Sequence, residues 1–594
     1  MSQSNEGYLL KDLVEEKDVL EKAPYLSEYP RPQFQRNSYL SLNGIWDFAL
    51  SKKDVPPEEY FAKVNVPFAV ESPLSLVNKL VEPDDFLFYH RIITLPKGFT
   101  DGKEFLLLHF EGVDQSCEVY LDEHLVAKHV GGYTPFTVIL SADIPEEFSL
   151  TVKVKDGTDS SYHQRGKQVL KPSGWFYTSS SGIYKPVWIE AVNQNYLEGV
   201  KFTPDFDNKS IKILLSSKEK QPVTMTLEGK EIPFTTNEEK TFPLTDFHPW
   251  TTEDPYLYPV TFKTEEDEVS SYFGMRKIEL REVDGFKRIF FNNKPLFLSG
   301  LLDQGYYFLG NLTPASYEDY RFDIQKAKEA GFNFLRVHVK TELPMFYYYA
   351  DKLGMLILQD FPCGGTPYDF YSVVKPRFFS WLSEKNIPLA KVGRKDKEGR
   401  DEFTSEVKEY LSMTYNNPSV IAYTIFNEGW GEFEPSKFYE YCKKEDPTRL
   451  YDSSSGWYEA KESDFCSIHT YSLPGKKRKN RYQHCFALTE IGGRGLRIEE
   501  NSYFAKFYGH GKDKTKEELA KHVKSLYEED ILPQIASQGL SLVVYTQLGD
   551  CETEMNGLFT FDRKVEKIDP SLLVDINKKL QDEYQHCLQK GEAR

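Results

Sequence analysis

"VIAYTIFNEGWGEF", residues 420–433, runs almost wholly apolar from Val420 to Phe426 and then breaks into Asn427-Glu428-Gly429-Trp430-Gly431. An apolar run this short, closed by glycines, reads as a strand buried on both faces, the strand type of a parallel sheet. Packing gives no reason for such a strand to end on an amide, a carboxylate and an indole. The segment therefore predicts a sheet whose strand ends carry chemistry, and it makes Glu428 a residue whose partner must be found.

Outward from it the same grammar repeats. Strands are predicted at PLFLSGLLD (295–303), FNFLRVHV (332–339), MLILQDF (355–361), LYDSSSG (450–456), FCSIHTY (465–471), FALTEIGG (486–493) and LVVYTQLGD (542–550). Amphipathic segments such as SYEDYRFDIQKAKEAG (316–331) and SEVKEYLSMTYNN (405–417) stand between most of them. With the opening stretch this makes eight strands alternating with helices over residues 285–594, the pattern of a (β/α)8 TIM barrel. The links after the fifth and sixth strands are too short for full helices, which predicts an irregular barrel there.

Ahead of residue 285 the period is two. KEFLLLHFEGV (103–113), SCEVYLDEHLVAKHV (116–130) and FSLTVKVKD (148–156) alternate without long helices, predicting an antiparallel β-sandwich over 1–195. KSIKILLSS (209–217) and PVTMTLEG (222–229) begin a second all-β unit over 196–284, of a length that suits one Ig-like sandwich.

Composition bounds the function. The formal charge of −18 gives a field that repels nucleic acid and anionic membrane surfaces, so neither is expected as a partner. No apolar run is long enough to span a bilayer, and the first residues show no basic stretch leading into an apolar one. Seven cysteines are scattered without CxxC pairs, which supports neither a disulfide framework nor a zinc site. These features predict a cytoplasmic protein with reduced thiols. The 15% aromatic share is high, and aromatic faces suit partly polar ligands such as sugars as well as β-rich cores.

A barrel of this kind builds its site where its strands end. Those ends supply Asp303, Arg336, His338, Asp360, Asn427, Glu428, His469, Tyr471, Glu490 and Gln547. One such carboxylate is compatible with a structural ion pair. Polar groups at nearly every strand end are not, because buried charge without partners costs several kcal/mol. Glu428 and Glu490 end the fourth and seventh strands. Opposed carboxylates with no metal-ligand cluster are the equipment of a glycosidase, one protonated to serve the leaving oxygen and one ionised to attack the anomeric carbon.

The chain also resembles glycoside hydrolase family 2, which includes β-galactosidases, β-glucuronidases and β-mannosidases. The likeness rests on LNGIWDF (42–48), FEGVDQSCEVYLD (110–122), VGGYTPF (130–136) and SSSGIYKPVWIE (179–190), then HPWTTEDPYLYPVTF (248–262) and SYFGMRKIEL (271–280). In the barrel it rests on GFNFLRVHV (331–339), the opening stretch, SIHTY (467–471) and ALTEIGG (487–493), in that order. The resemblance implies a jelly-roll, sugar-binding-type fold for the first sandwich. It also implies that Glu428 is the general acid/base, Glu490 the nucleophile, Asn427 a ligand of the sugar's 2-hydroxyl, Tyr471 the residue orienting Glu490, and Arg336 the charge keeping Glu490 ionised. Neither a metal nor another cofactor is expected, and the partner is a carbohydrate, with homo-oligomerisation left open.

The sequence departs from better-known members at GLLDQGYY (300–307), at NEGWG (427–431), and at YTQLGDCETEMNG (545–557), where Gln547 stands near a position many relatives give to tryptophan. His338 and His469 read as hydrogen-bond donors to hydroxyls rather than metal ligands, Asp360 as a hydroxyl ligand or an acceptor for neighbouring amides, and Trp430 as a wall of the sugar site or part of its rim. GKKRKNRY (475–482) reads as a solvated loop, and WFYTSSSG (175–182) as a β-domain loop that can reach toward the pocket. The expectation is a retaining exo-β-glycosidase, β-galactosidase-like because no Asn-x-Lys signature for a uronate shows in the later barrel loops. The alternatives are a β-glucuronidase or β-mannosidase, an inactive carbohydrate-binding protein, and a transglycosylase. Arg494 is the one residue read as able to pair with a uronate.

Overall fold

The computed structural model describes residues 10, 13–369, 382–383, 388–471 and 479–592. The first half of GKKRKNRY, residues 475–478, therefore lies outside the described residues. At the N-terminus an antiparallel six-stranded sheet, ordered 62–66, 44–51, 86–94, 147–155, 116–121, 124–130, faces a four-stranded one ordered 40–41, 187–192, 105–110, 136–141. Alternate residues of the 147–155 strand turn inward: Phe148, Leu150, Val152 and Val154 join Trp46, Phe48, Tyr89, Leu108 and Ile189 in one core. A second sandwich pairs the strands 197–205, 210–217 and 240–243 against 230–235, 222–227, 258–263 and 268–273. Phe202, Ile213, Met225, Phe262 and Phe273 fill it.

A hairpin, Ile278–Val283 with Phe286–Phe291, comes next. Its Ile278, Ile289 and Phe291 share a core with barrel residues Leu298, Phe334 and Leu356. The break expected at 284/285 falls in the turn of this hairpin, so we propose that the barrel unit begins ahead of Ile278.

The barrel strands are β1 (Leu298–Asp303), β2 (Phe334–Val337), β3 (Leu356–Asp360), β4 (Val420–Thr424), β5 (Leu450–Asp452), β6 (Phe465–Thr470), β7 (Cys485–Gly492) and β8 (Leu540–Thr546). They form one parallel sheet ordered β5-β4-β3-β2-β1-β8-β7-β6. Between β5 and β6 only single bonds close the ring, such as Asp464 N–H to the Tyr451 carbonyl at 2.9 Å. Every strand residue is buried, as both faces require: Leu302, Phe334, Leu358, Leu450 and Leu542 fill the inside. Leu301, Leu335, Ile357, Tyr451 and Val543 face outward toward the helices.

Those helices are α1 (Tyr317–Glu329), α2 (Pro344–Leu353), α3 (Lys397–Thr414), α4 (Pro435–Glu445), α5 (Lys516–Ser525), α6 (Leu532–Gln538) and α7 (Pro570–Glu592). α1 starts where a capping box is written. Ser316 accepts from the Glu318 N–H and Asp319 accepts from the Ser316 N–H, satisfying donors a helix start leaves open. No helix stands between β5 and β6, nor, among the described residues, between β6 and β7. Among the described residues no helix is long and apolar enough to cross a membrane, and no cysteine forms a disulfide.

Candidate active site

Period-two alternation delivers most of the polar groups inside the barrel mouth. Arg336 follows the inward Phe334 by two residues, Asp360 follows Leu358, and His469 follows Ser467. Glu490 is different. Cys485 and Ala487 face inward, so parity assigns Thr489 to the inside and Glu490 to the outside. A β-bulge reverses this: Ile468 lies opposite Leu488 and His469 opposite Glu490, leaving one extra residue on β7. Both side chains then enter the barrel. Thr489 Oγ1 meets Ser467 Oγ at 2.6 Å and Ser455 Oγ at 2.9 Å, and Glu490 meets Arg336.

Glu428 sits just past β4 with φ +53°, a left-handed conformation uncommon for a residue with a side chain. Its N–H donates to the Ser455 carbonyl at 2.8 Å, and Asn427 bridges to Ser455. The glycines of the opening stretch are required here. A Cβ on Gly429 would lie 2.8 Å from the Tyr458 ring, and one on Gly431 2.5 Å from the Gly364 carbonyl oxygen, both at positive φ.

Arg336 is wholly buried and binds on every side. Its Nε donates to both Asp360 oxygens at 3.0 and 3.1 Å, Nη2 to Asn427 Oδ1 at 2.9 Å, and Nη1 to Glu490 Oε1 at 3.2 Å. The Tyr471 hydroxyl donates to Glu490 Oε2, and burial together with that carboxylate pushes the phenol far above its ordinary range. His338 Nδ1 lies 2.9 Å from Asp360 Oδ2, and its Nε2 3.8 Å from Glu490 Oε1. Burial holds both histidines neutral, His338 well below its ordinary value and His469 down to about 3.

The tautomer of His469 follows from its neighbours. Arg336 Nη1 faces Nε2 at 3.2 Å, and a guanidinium only donates. Nε2 is therefore the acceptor, and Nδ1 carries the proton toward Glu428 Oε1 at 2.8 Å. One ligand atom each of Glu428, His469 and Glu490 lie within 4.8 Å of one another. The three could ligate a metal, but the guanidinium at 3.2 Å already supplies the positive charge beside Glu490.

Of the residues expected from sequence, Glu428, Glu490, His338, Tyr471 and Trp430 line one small cavity at the barrel mouth. Asn427, Asp360 and His469 lie against its inner groups through the bonds above. Asp303 and Gln547 do not line it. Asp303 turns back to accept from the Gly305 N–H at 2.9 Å, and Gln547 accepts from Gln304 at 2.7 Å, so Gln304 reaches the cavity instead. Arg494 is also placed elsewhere, its fork engaged by Asp513 at 2.6–3.1 Å.

Sequence reasoning missed Lys167, Tyr508, His510 and Glu554, which line the same cavity. Trp175 lines it too, so the loop WFYTSSSG of the first sandwich reaches the barrel, with the Phe176 ring centre 5.2 Å from that of Trp430 in a tilted contact. His510 stacks on Tyr471 with ring centres 3.5 Å apart. No strand-end rule could have found these, since they come from loops distant in sequence. A wider cleft lies away from them on the first sandwich, and its charged rim consists of exposed pairs such as Lys52 with Glu82.

The solved β-glucuronidase of an uncultured Clostridium sp. shares this fold, with a TM-score of 0.71 and 16% identity over 93% of this chain and 99% of that one. A family profile described as "Glycosyl hydrolases family 2" matches residues 195–276. Among curated proteins, a β-galactosidase of Thermoanaerobacter pseudethanolicus is 27% identical over 44% of this chain and 37% of its own length. A β-glucuronidase of Streptococcus agalactiae is 23% identical over 67% and 68%. The matched part thus spans little more than a third of the first relative and about two thirds of the second. Two β-sandwiches ahead of a (β/α)8 barrel with acidic strand ends define the class. By these comparisons the chain is similar to proteins of glycoside hydrolase family 2.

Proposed function

We propose that this protein is a retaining exo-β-glycosidase that hydrolyses terminal β-linked sugars. The observation that carries the reading is the approach of Glu428 and Glu490, with a carboxylate oxygen of each inside one 4.8 Å cluster. Double displacement needs carboxyl groups about 5–5.5 Å apart, whereas inversion needs room for a water between them. The small size of the cavity supports action on a single terminal residue.

Glu490 attacks C1 and forms the glycosyl-enzyme. Arg336 and Tyr471 both hydrogen-bond its oxygens, which fixes the carboxylate toward the sugar. Glu428 protonates the departing oxygen. Because Oε1 receives the Nδ1–H of His469, the transferable proton belongs on Oε2. Water then cleaves the intermediate while Glu428 takes its proton. Asn427, held by Arg336 through Oδ1, has its Nδ2 without a partner and so free for a sugar hydroxyl.

The likeness to the Thermoanaerobacter β-galactosidase supports the expected β-galactoside. The likeness to the Streptococcus β-glucuronidase supports a β-glucuronide instead. The hydrolytic reading is tested with a panel of nitrophenyl β-glycosides whose first-formed product is resolved by NMR. The β-anomer is expected, and the α-anomer overturns the assignment of a nucleophile.

A further inference from the structure

Among the described residues that line the cavity, one cationic group has no role in the chemistry above. Lys167 belongs to the first sandwich, in a loop pressed onto the barrel. The Arg165 and Gly166 N–H groups both donate to the Cys363 carbonyl, at 3.0 and 2.8 Å. Gly166, at φ +57°, comes so close that a Cβ would lie 2.6 Å from the Val339 carbonyl oxygen. The Lys167 carbonyl accepts from the Tyr177 N–H at 2.9 Å. The stem is therefore fixed, and the side chain lines the cavity beside Glu428, Glu490 and His338 while only 7% exposed.

Its ammonium meets only aromatic faces, the Tyr177 ring at 5.6 Å and the Trp430 ring at 5.9 Å. Among the described residues no hydrogen bond or ion pair reaches it. The cavity's carboxylates are engaged by other donors. Glu490 takes Arg336 and Tyr471, Glu428 takes His469, and Glu554 takes the Tyr177 hydroxyl and the Asn556 amide. Arg336, the other cation beside Glu490 among the described residues, is neutralised by Asp360 and Glu490. An ammonium that faces the cavity with no hydrogen bond or ion pair of its own among the described residues is placed to receive an anion delivered by the ligand.

We propose that Lys167, supplied by the first sandwich, recognises an anionic group on the sugar, so that the preferred substrate is a β-glycoside of a uronic acid. This rests on the glycosidase reading and departs from the neutral galactoside expected from sequence. The barrel loops lack a uronate signature because the cation comes from another domain. It also leaves Arg494 with no part in specificity, since its fork is closed by Asp513.

The test compares kcat/KM for aryl β-glucuronide and β-galacturonide with the matched β-glucoside and β-galactoside, in wild type, Lys167→Met and Lys167→Arg. Wild type is expected to favour a uronide over its neutral counterpart by roughly 100-fold or more. Lys167→Met, which keeps the stem packed on Tyr177 and Trp430, should remove that preference, and Lys167→Arg should retain part of it. Calorimetry with free glucuronate, galacturonate, glucose and galactose reads the same discrimination without turnover. Lys167-dependent binding of a uronate with no hydrolysis of any glycoside would sink the glycosidase reading and leave this proposal standing. A wild type that prefers neutral sugars, or a Lys167→Met that weakens acidic and neutral ligands alike, would overturn it. Should Lys167→Met fail to fold, the wild-type preference alone decides.

Discussion

Nδ1 of His469 lies 2.8 Å from Oε1 of Glu428, and the ring is turned so that its only available proton points at that carboxylate. The donor favours the ionised carboxylate and opposes protonation of Glu428. In His469→Ala the alkaline limb of the kcat/KM profile should therefore move up by about one pH unit. His469→Asn, which keeps a donor close to the Nδ1 position, should restore the limb. A limb that stays in place in the alanine variant would show that the contact does not govern proton donation.

Glu428→Ala separates leaving groups. Aryl glycosides with acidic phenols need little protonation and should keep most of their glycosylation rate, whereas alkyl glycosides should lose about 10³-fold. Added azide should then give a β-glycosyl azide, detected by NMR. Equal losses for both kinds of glycoside, or an α-azide, would remove Glu428 from the acid/base role.

Glu490→Gln should lower turnover of every substrate by roughly 10⁴-fold or more, because no other side chain replaces the covalent step. Mass spectrometry of the wild type after rapid quenching with a 2-fluoro glycoside should find the label on the peptide carrying Glu490. A label on the Glu428 peptide would exchange the two roles.

Far from the cavity, Glu406 supplies a test of stability. Burial, with the Glu402 charge adding to it, raises its carboxyl from 4.5 to about 8, and the Tyr410 hydroxyl donates to it at 2.8 Å. Its folded value is thus above its unfolded one. Between about 4.5 and 8 the folded chain holds a proton that the unfolded chain has released, so the contribution is complete below that window and falls as pH rises through it. Glu406→Gln should flatten the fall in unfolding free energy between pH 5 and 8 by up to about 1.4 kcal/mol per unit, as measured by denaturant titration. Parallel curves for the two proteins would contradict this.

What the sequence determined follows from local rules. Runs such as VIAYTIF must be buried on both faces, alternating segments such as FSLTVKVKD must be half-buried, and these periods specify two sandwiches ahead of a barrel. Parity within a strand likewise makes Arg336, Asp360 and His469 legible as inward groups, and the break after Phe426 marks Glu428. Tertiary structure decided what parity cannot. The bulge that turns Glu490 inward is set by the register of β7 against β6, which depends on two strands at once. Asp303 and Gln547 sit at strand ends like the others, yet backbone and side-chain neighbours draw them away from the cavity. Lys167 carries no mark in its own segment. It enters the cavity because one sandwich loop docks on the barrel, and long-range packing of that kind leaves no period in a sequence.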